Sequence, residues 1–217
     1  LTEKDNIDDI PELINVDENL TPKQKLILQS AIEVFSEKGY AAASTNEIAK
    51  KAGVAEGTIF RHYATKKKLL ISIVMPLFSH ILAPTVLKSF KREVFDNGYE
   101  SFEGFLRVLI KNRLEFARKN LPLLKILIQE MAFQEEFRDR FQKVFRDNIY
   151  GKFKDIIKYY KDKGELVDWE EDDIIRYIIS TIVSSLITKV LIMPPKELDD
   201  EKFIDQTIRF IISGLKK

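Results

Sequence analysis

Cysteine is absent from the 217-residue sequence, which excludes disulfides, thiol nucleophiles and cysteine-based metal sites. Histidine occurs only twice, as His62 and His80. Neither belongs to a metal-ligand spacing or stands beside an acid and a nucleophile, and no glycine-rich phosphate loop is present. No catalytic, metal or cofactor residue is therefore assigned, and an enzyme is not expected. The first residues are acidic and polar, unlike the basic and then apolar regions of a signal peptide. Long uninterrupted apolar runs are lacking too. The nearest, Ile174 to Met193, is broken by Arg176, Ser180, Thr181, Ser184, Ser185, Thr188 and Lys189. Such a segment suits a buried or interface helix better than a membrane span. Strand-period alternation is missing and no repeat is found. The expectation is a soluble, cytoplasmic, all-α protein.

What is present is unevenly distributed. The formal net charge is only +1. Residues 1–20 nevertheless carry seven acids against Lys4, whereas residues 21–70 carry nine Lys/Arg against four Glu. A basic segment beside an acidic arm is the asymmetry expected of a chain that meets nucleic acid.

That basic segment also has the clearest local punctuation. Thr21, Pro22 and Gln24 form a helix start with a capping box, and Leu26, Ala31, Ile32 and Phe35 follow helical spacing to a stop at Gly39. Ser44 and Glu47 spell a second capping box before Ile48 and Ala49. Gly53 supplies a tight turn, and a third helix runs from about Ala55 to Tyr63, with no capping side chain at Ala55. Helix, tight turn and second short helix make a helix-turn-helix, whose second helix lies in the DNA major groove. Thr65 caps a long fourth helix from Lys66, which Pro76 and Pro84 should kink or end. Further helices are expected near 101–119, 121–133, 136–163, 170–193 and 200–215. The chain divides accordingly into an acidic arm (1–20), a helix-turn-helix DNA-binding domain (21–66) and a larger helical domain (67–217).

Residues 24–70 resemble the tetracycline-repressor (TetR) family of bacterial transcription regulators. The matching features are Phe35 and Gly39-Tyr40, then Thr45, Ile48-Ala49 and Ala52-Gly53-Val54, followed by Gly57-Thr58, Phe60, His62-Tyr63, Lys66 and Leu69. Two positions depart from the family pattern. Ala55 stands where a capping serine is frequent, and Phe60 replaces a tyrosine whose hydroxyl can reach phosphate. The resemblance implies a dimer on double-stranded DNA with a two-fold operator, and a C-terminal domain that encloses a small apolar or amphipathic ligand. It also implies that Gly57 lets the backbone approach DNA closely. Thr45, Thr58, His62 and Lys66 are candidate phosphate contacts, which orient without reading sequence. Arg61 has two readings: a bidentate base contact, the commonest being to guanine, or a further phosphate contact.

Two apolar helices offer a homodimer interface. Ile178, Ile182 and Ser185 mark the helix near 170–193, and Ile204, Ile208 and Ile211 mark the last one; the same stripes would also serve as a core within one subunit. The middle helices are rich in phenylalanine. Phe105, Phe116 and Phe133 line either a core or a ligand cavity, and Arg113 and Glu130 fall on apolar faces where a charge needs a partner. Either these two satisfy each other, or Arg113 holds the carboxylate or phosphate of a ligand. The function expected is a repressor released from DNA by such a ligand. The alternative is a DNA-bound adaptor or DNA-organising protein whose helical domain recruits a protein partner.

Overall fold

The computed structural model describes residues 20–81, 84–131, 135–192 and 199–216; the acidic arm, apart from Leu20, falls outside them. Among the described residues there is no strand, only an isolated bridge between Leu166 and Lys216. The helices are α1 (Pro22–Ala42), α2 (Thr45–Lys51), α3 (Glu56–His62), α4 (Lys66–Ile81), α5 (Pro84–Val94), α6 (Phe102–Lys119), α7 (Leu121–Met131), α8 (Glu135–Phe145), α9 (Gly151–Asp162), α10 (Glu171–Ile187) and α11 (Asp200–Leu215). A π-helical turn, Arg146–Tyr150, joins α8 to α9, and another, Thr188–Ile192, extends α10.

Local signals account for the first four helices. Thr21 and Gln24 make the reciprocal capping box, with Gln24 N donating to Thr21 Oγ1 over 3.3 Å and Thr21 N donating to Gln24 Oε1 over 3.0 Å. Gly39, at φ 76°, breaks α1 before three further residues close it. The second capping box is only half formed. Ser44 Oγ accepts from Asn46 N over 3.1 Å, but Glu47 turns to Lys38 because an ion pair competes for its carboxylate. Gly53, at φ 66°, reverses the chain between α2 and α3, and Ala55 caps α3 with no side-chain bond. Thr65 Oγ1 accepts from Lys68 N over 3.0 Å and opens α4.

α4 runs through Pro76 to Ile81, and Pro84 then occupies the first position of a new helix. There its missing amide costs nothing. The break expected at Pro84 is found, whereas Pro76 lies inside α4; the separate helix Pro84–Val94 has no start signal in the sequence beyond that proline.

The chain divides into two compact units at residues 83/84, 118/119 and 141/142. The first contains α1 to α4 together with α7. Its core joins Ile27, Ala31, Phe35, Ile48, Ile59 and Leu69 to Ile126 and Leu127 of α7, so α7 packs on α1 and α4. The second contains α5, α6, α9, α10 and α11. Phe95, Phe105 and Phe153 meet edge to face or tilted, with centroids 5.0–6.0 Å apart. The inner side of α10 packs against the inner side of α11, and α9 closes the other flank.

Candidate nucleic-acid interface

The first unit holds α2 and α3 through one apolar face. Ile48, Ala49, Ile59 and Tyr63 are buried in it, which leaves the opposite side of α3 in solvent. Gly57, Phe60 and Arg61 are exposed there, and Thr58 and His62 are half-buried beside them. Phe60 is 46% exposed, a large apolar ring left uncovered by the chain. A β-carbon on Gly57 would meet no atom of the protein within 4 Å, so nothing inside the fold demands glycine at that position.

Two of the expected phosphate contacts are engaged within the unit. Thr45 donates its hydroxyl to Glu56 Oε1 over 2.6 Å. Lys66 donates to the carbonyls of Ala43 (2.7 Å) and Ala41 (3.4 Å) and lies 4.5 Å from the Tyr40 ring centroid. Its ammonium therefore closes the end of α1, as a cation suits a helix C-terminus. Lysines 50, 67 and 68 are the exposed cations nearby. Lys51 is tied to Glu33 at 2.8 Å and Glu37 at 3.5 Å, and its pKa is raised, first through the Glu33 hydrogen bond.

Tyr63, which ends α3, matches the family pattern but carries no role in the sequence reading of the site. Its hydroxyl is buried without a hydrogen-bond partner, and desolvation pushes its pKa up to about 12.

In the second unit Arg113 is the distinctive charge. Its guanidinium lies 4.1 Å from the Phe90 ring centroid and 4.8 Å from that of Phe116. Nε and Nη2 both donate to Asn112 Oδ1, over 3.1 and 2.6 Å. Asn112 in turn donates to Glu93 Oε2 over 2.8 Å. Among the described residues no carboxylate approaches Arg113 within ion-pair distance. Desolvation pulls its pKa down to about 10, opposed by the charge of Glu93. It stays charged at neutral pH, with aromatic faces standing where a counter-ion would be. Phe105 is fully buried among Phe95, Tyr99, Phe102 and Phe153, as a core residue of this unit. The side chain of Glu130, and all of Phe133, lie outside the described residues.

The dimer positions need a correction. Ile178, Ile182, Ile204, Ile208 and Ile211 are all at most 4% exposed within the single chain. Each such burial is worth about 1.5–3 kcal/mol, so these side chains are spent on the subunit core. Only Ser185 of that set remains half-exposed, in a solvent-open cleft of about 810 Å³ between α10 and α11. Thr181, Ser184, Lys189, Lys202, Gln206 and Phe210 also line it. The outward side of these helices carries other residues: Tyr177, Val183 and, at 72% exposure, Phe210. Ser180 and Ser184, small enough for close approach, lie exposed on this side beside Tyr177 and Val183.

Comparisons with known proteins agree with this organisation. Residues 27–73 match the family model described as bacterial regulatory proteins, tetR family. An uncharacterised HTH-type transcriptional regulator of Bacillus subtilis, YvdT, is 47% identical over 60 residues, 28% of this chain and 31% of that protein. The fatty acid metabolism regulator protein of the same organism is 44% identical over 110 residues, 47% of this chain and 57% of that protein. Both matches span less than two thirds of the relative's own length. The crystal structure of the regulator FadR from Bacillus subtilis, in complex with stearoyl-CoA, is 22% identical and covers 87% of this chain and 97% of that one, with a TM-score of 0.60. It has the same fold. Helix-turn-helix geometry, family model and fold agree: residues 27–73 carry the segment matched by the tetR family model, within a chain that has the fold of solved tetR-family structures.

Proposed function

We propose that the protein is a dimeric, sequence-specific transcriptional regulator, a cytoplasmic repressor that leaves its operator when a small amphipathic anion binds its larger helical unit. The exposed side of α3 carries the reading. Phe60 and Arg61 project from a helix whose other side is locked in the core, and the exposed lysines beside it supply phosphate attraction.

Dimerisation is supported by what α10 and α11 leave uncovered. Tyr177, Val183, Ile192 and Phe210 are large apolar groups in solvent, interspersed with Ser180, Ser184 and Gly214, which allow close approach of a second helix pair. Glu171–Ile192 is long and apolar enough to cross a membrane by composition alone. Its contacts with α9 and α11 and its row of hydroxyls favour a protein partner. One recognition helix buries too little surface for a specific site, and a two-fold pair separated by about 35 Å matches successive major grooves.

The ligand reading rests on Arg113. A charged guanidinium held between Phe90 and Phe116, and hydrogen-bonded among the described residues to the neutral amide of Asn112, is suited to a ligand carboxylate or phosphate, with an apolar tail along the aromatic rings. That a FadR of this fold was crystallised with stearoyl-CoA supports the same chemical class. Such a ligand acts by preferring one conformer, and several kcal/mol of preference are needed to empty an occupied operator.

The test is a footprint on the DNA upstream of the protein's own gene, in moderate salt with competitor DNA, repeated with stearoyl-CoA and with a free long-chain fatty acid. A short two-fold protected site that is lost on adding either compound is the expected result. Diffuse, salt-sensitive coverage would replace this reading with the adaptor or DNA-organising one.

A further inference from the structure

The basic segment 21–70 contains four glutamates. Three are neutralised: Glu33 and Glu37 by Lys51, and Glu47 by Lys38. Glu56, on α3, has no cation partner among the described residues. Two neutral donors of α2 hold it instead. The Thr45 hydroxyl is 2.6 Å from Oε1, and Asn46 Nδ2 is 3.5 Å from Oε2. The hydroxyl fixes the carboxylate's orientation, while the long amide contact leaves Oε2 with acceptor capacity to spare.

An unneutralised carboxylate on a surface that meets phosphates lowers general DNA affinity. It is therefore costly unless it finds a donor in the groove. The major groove offers donors only at the amino groups of cytosine and adenine; guanine O6 and N7 and thymine O4 are acceptors that repel it. Adenine places acceptor N7 beside its amino group, whereas cytosine has only a C–H there. A carboxylate therefore discriminates for cytosine, and glutamine, with one donor and one acceptor, for adenine.

The geometry points to Glu56, positioned by Thr45 and Asn46, as a specificity-determining residue that accepts from a cytosine amino group in each half-site. This rests on the sequence-specific regulator proposed above. It assigns Thr45 a new task, aiming Glu56, in place of a free phosphate contact.

The experiment is selection of two-fold sites from a randomised double-stranded DNA library by the full chain and its variants. Competition binding then follows, on the selected site and on copies changed at one base pair. The wild-type chain is expected to enrich a cytosine at one position of each half-site and to lose about tenfold in affinity when that pair is changed. Glu56→Gln, which preserves shape and an acceptor for Thr45, should move that position to adenine, leave the others unchanged and bind non-specific DNA more tightly. Thr45→Val, which keeps Glu56 but releases it, should flatten preference at the same position. If Glu56→Gln and Glu56→Ala, both melting cooperatively, select the same site with the same discrimination as the wild type, Glu56 is only a tie between α2 and α3 and the proposal is overturned. If the wild type enriches no sequence, the regulator reading fails instead, a separate outcome.

Discussion

The β-carbon that Gly39 lacks would stand 2.8 Å from Nε2 of Gln129, so α7 is seated directly on the break in α1. Gly39 also holds φ at 76°, where side-chain-bearing residues are strained. Gly39→Ala should destabilise the protein by about 1–3 kcal/mol in denaturant unfolding. Removing Gln129 in the same background should recover little, because the amide end can move aside whereas the backbone angle cannot.

Gly57 makes the opposite prediction. It is helical and surrounded by open space, so Gly57→Ala should stabilise by roughly 0.5–1 kcal/mol. DNA affinity should fall nonetheless if the backbone comes close to a phosphate. A stabilised variant that binds as well as the wild type would sink the close-approach reading.

Tyr63 carries an orphan hydroxyl at the end of the reading helix. Leaving such a group unpaired costs about 1–3 kcal/mol. Tyr63→Phe should therefore raise the unfolding midpoint, and a fall of about 1 kcal/mol would reveal a bond made by that oxygen.

Arg113 is maintained at a cost to stability, since its charge is desolvated with no carboxylate at ion-pair distance among the described residues. Arg113→Met should fold, melt at least as high as the wild type, still bind operator, and fail to release it with stearoyl-CoA. Melting is read by circular dichroism and release by footprinting. A variant that still responds to the ligand would remove the arginine from the binding site.

Asp200 supplies the pH dependence. Arg118 pairs with it through both guanidinium nitrogens, with Nη2 2.6 Å from Oδ1, and Lys189 is 3.6 Å from the same oxygen. The Arg118 hydrogen bond, opposed by desolvation, holds its pKa below the ordinary carboxylate value. A depressed folded pKa means the stabilisation is full above the unfolded value of about 4 and is lost as pH falls through the folded one. Asp200→Asn should lower the melting temperature at pH 7 and narrow the difference from wild type below about pH 4.

The reading head was legible because its signals are local. Thr21 with Gln24, the turn at Gly53 and the missing cap at Ala55 each act within a few residues. Three departures from the local signals share another cause. Glu47 left its capping box for Lys38, nine residues away. Lys66 turned inward to Ala43. The isoleucines of α10 and α11 went to the core because apolar periodicity states that a face is buried, not what buries it. Arg113 is recognisable as a charge on an apolar face; its neighbour Phe90 is not, since that ring comes from α5, a helix distant in sequence.

One consequence of α7 concerns engineering. Because Ile126 and Leu127 complete the core around α1, the reading head is not a single cassette ending near residue 83. A graft of α1 to α4 onto another sensor would open an apolar wall and be prone to aggregation. Chimeras that carry residues 119–141 along with the amino-terminal segment keep that wall closed, and the swap has to be made in two pieces of chain.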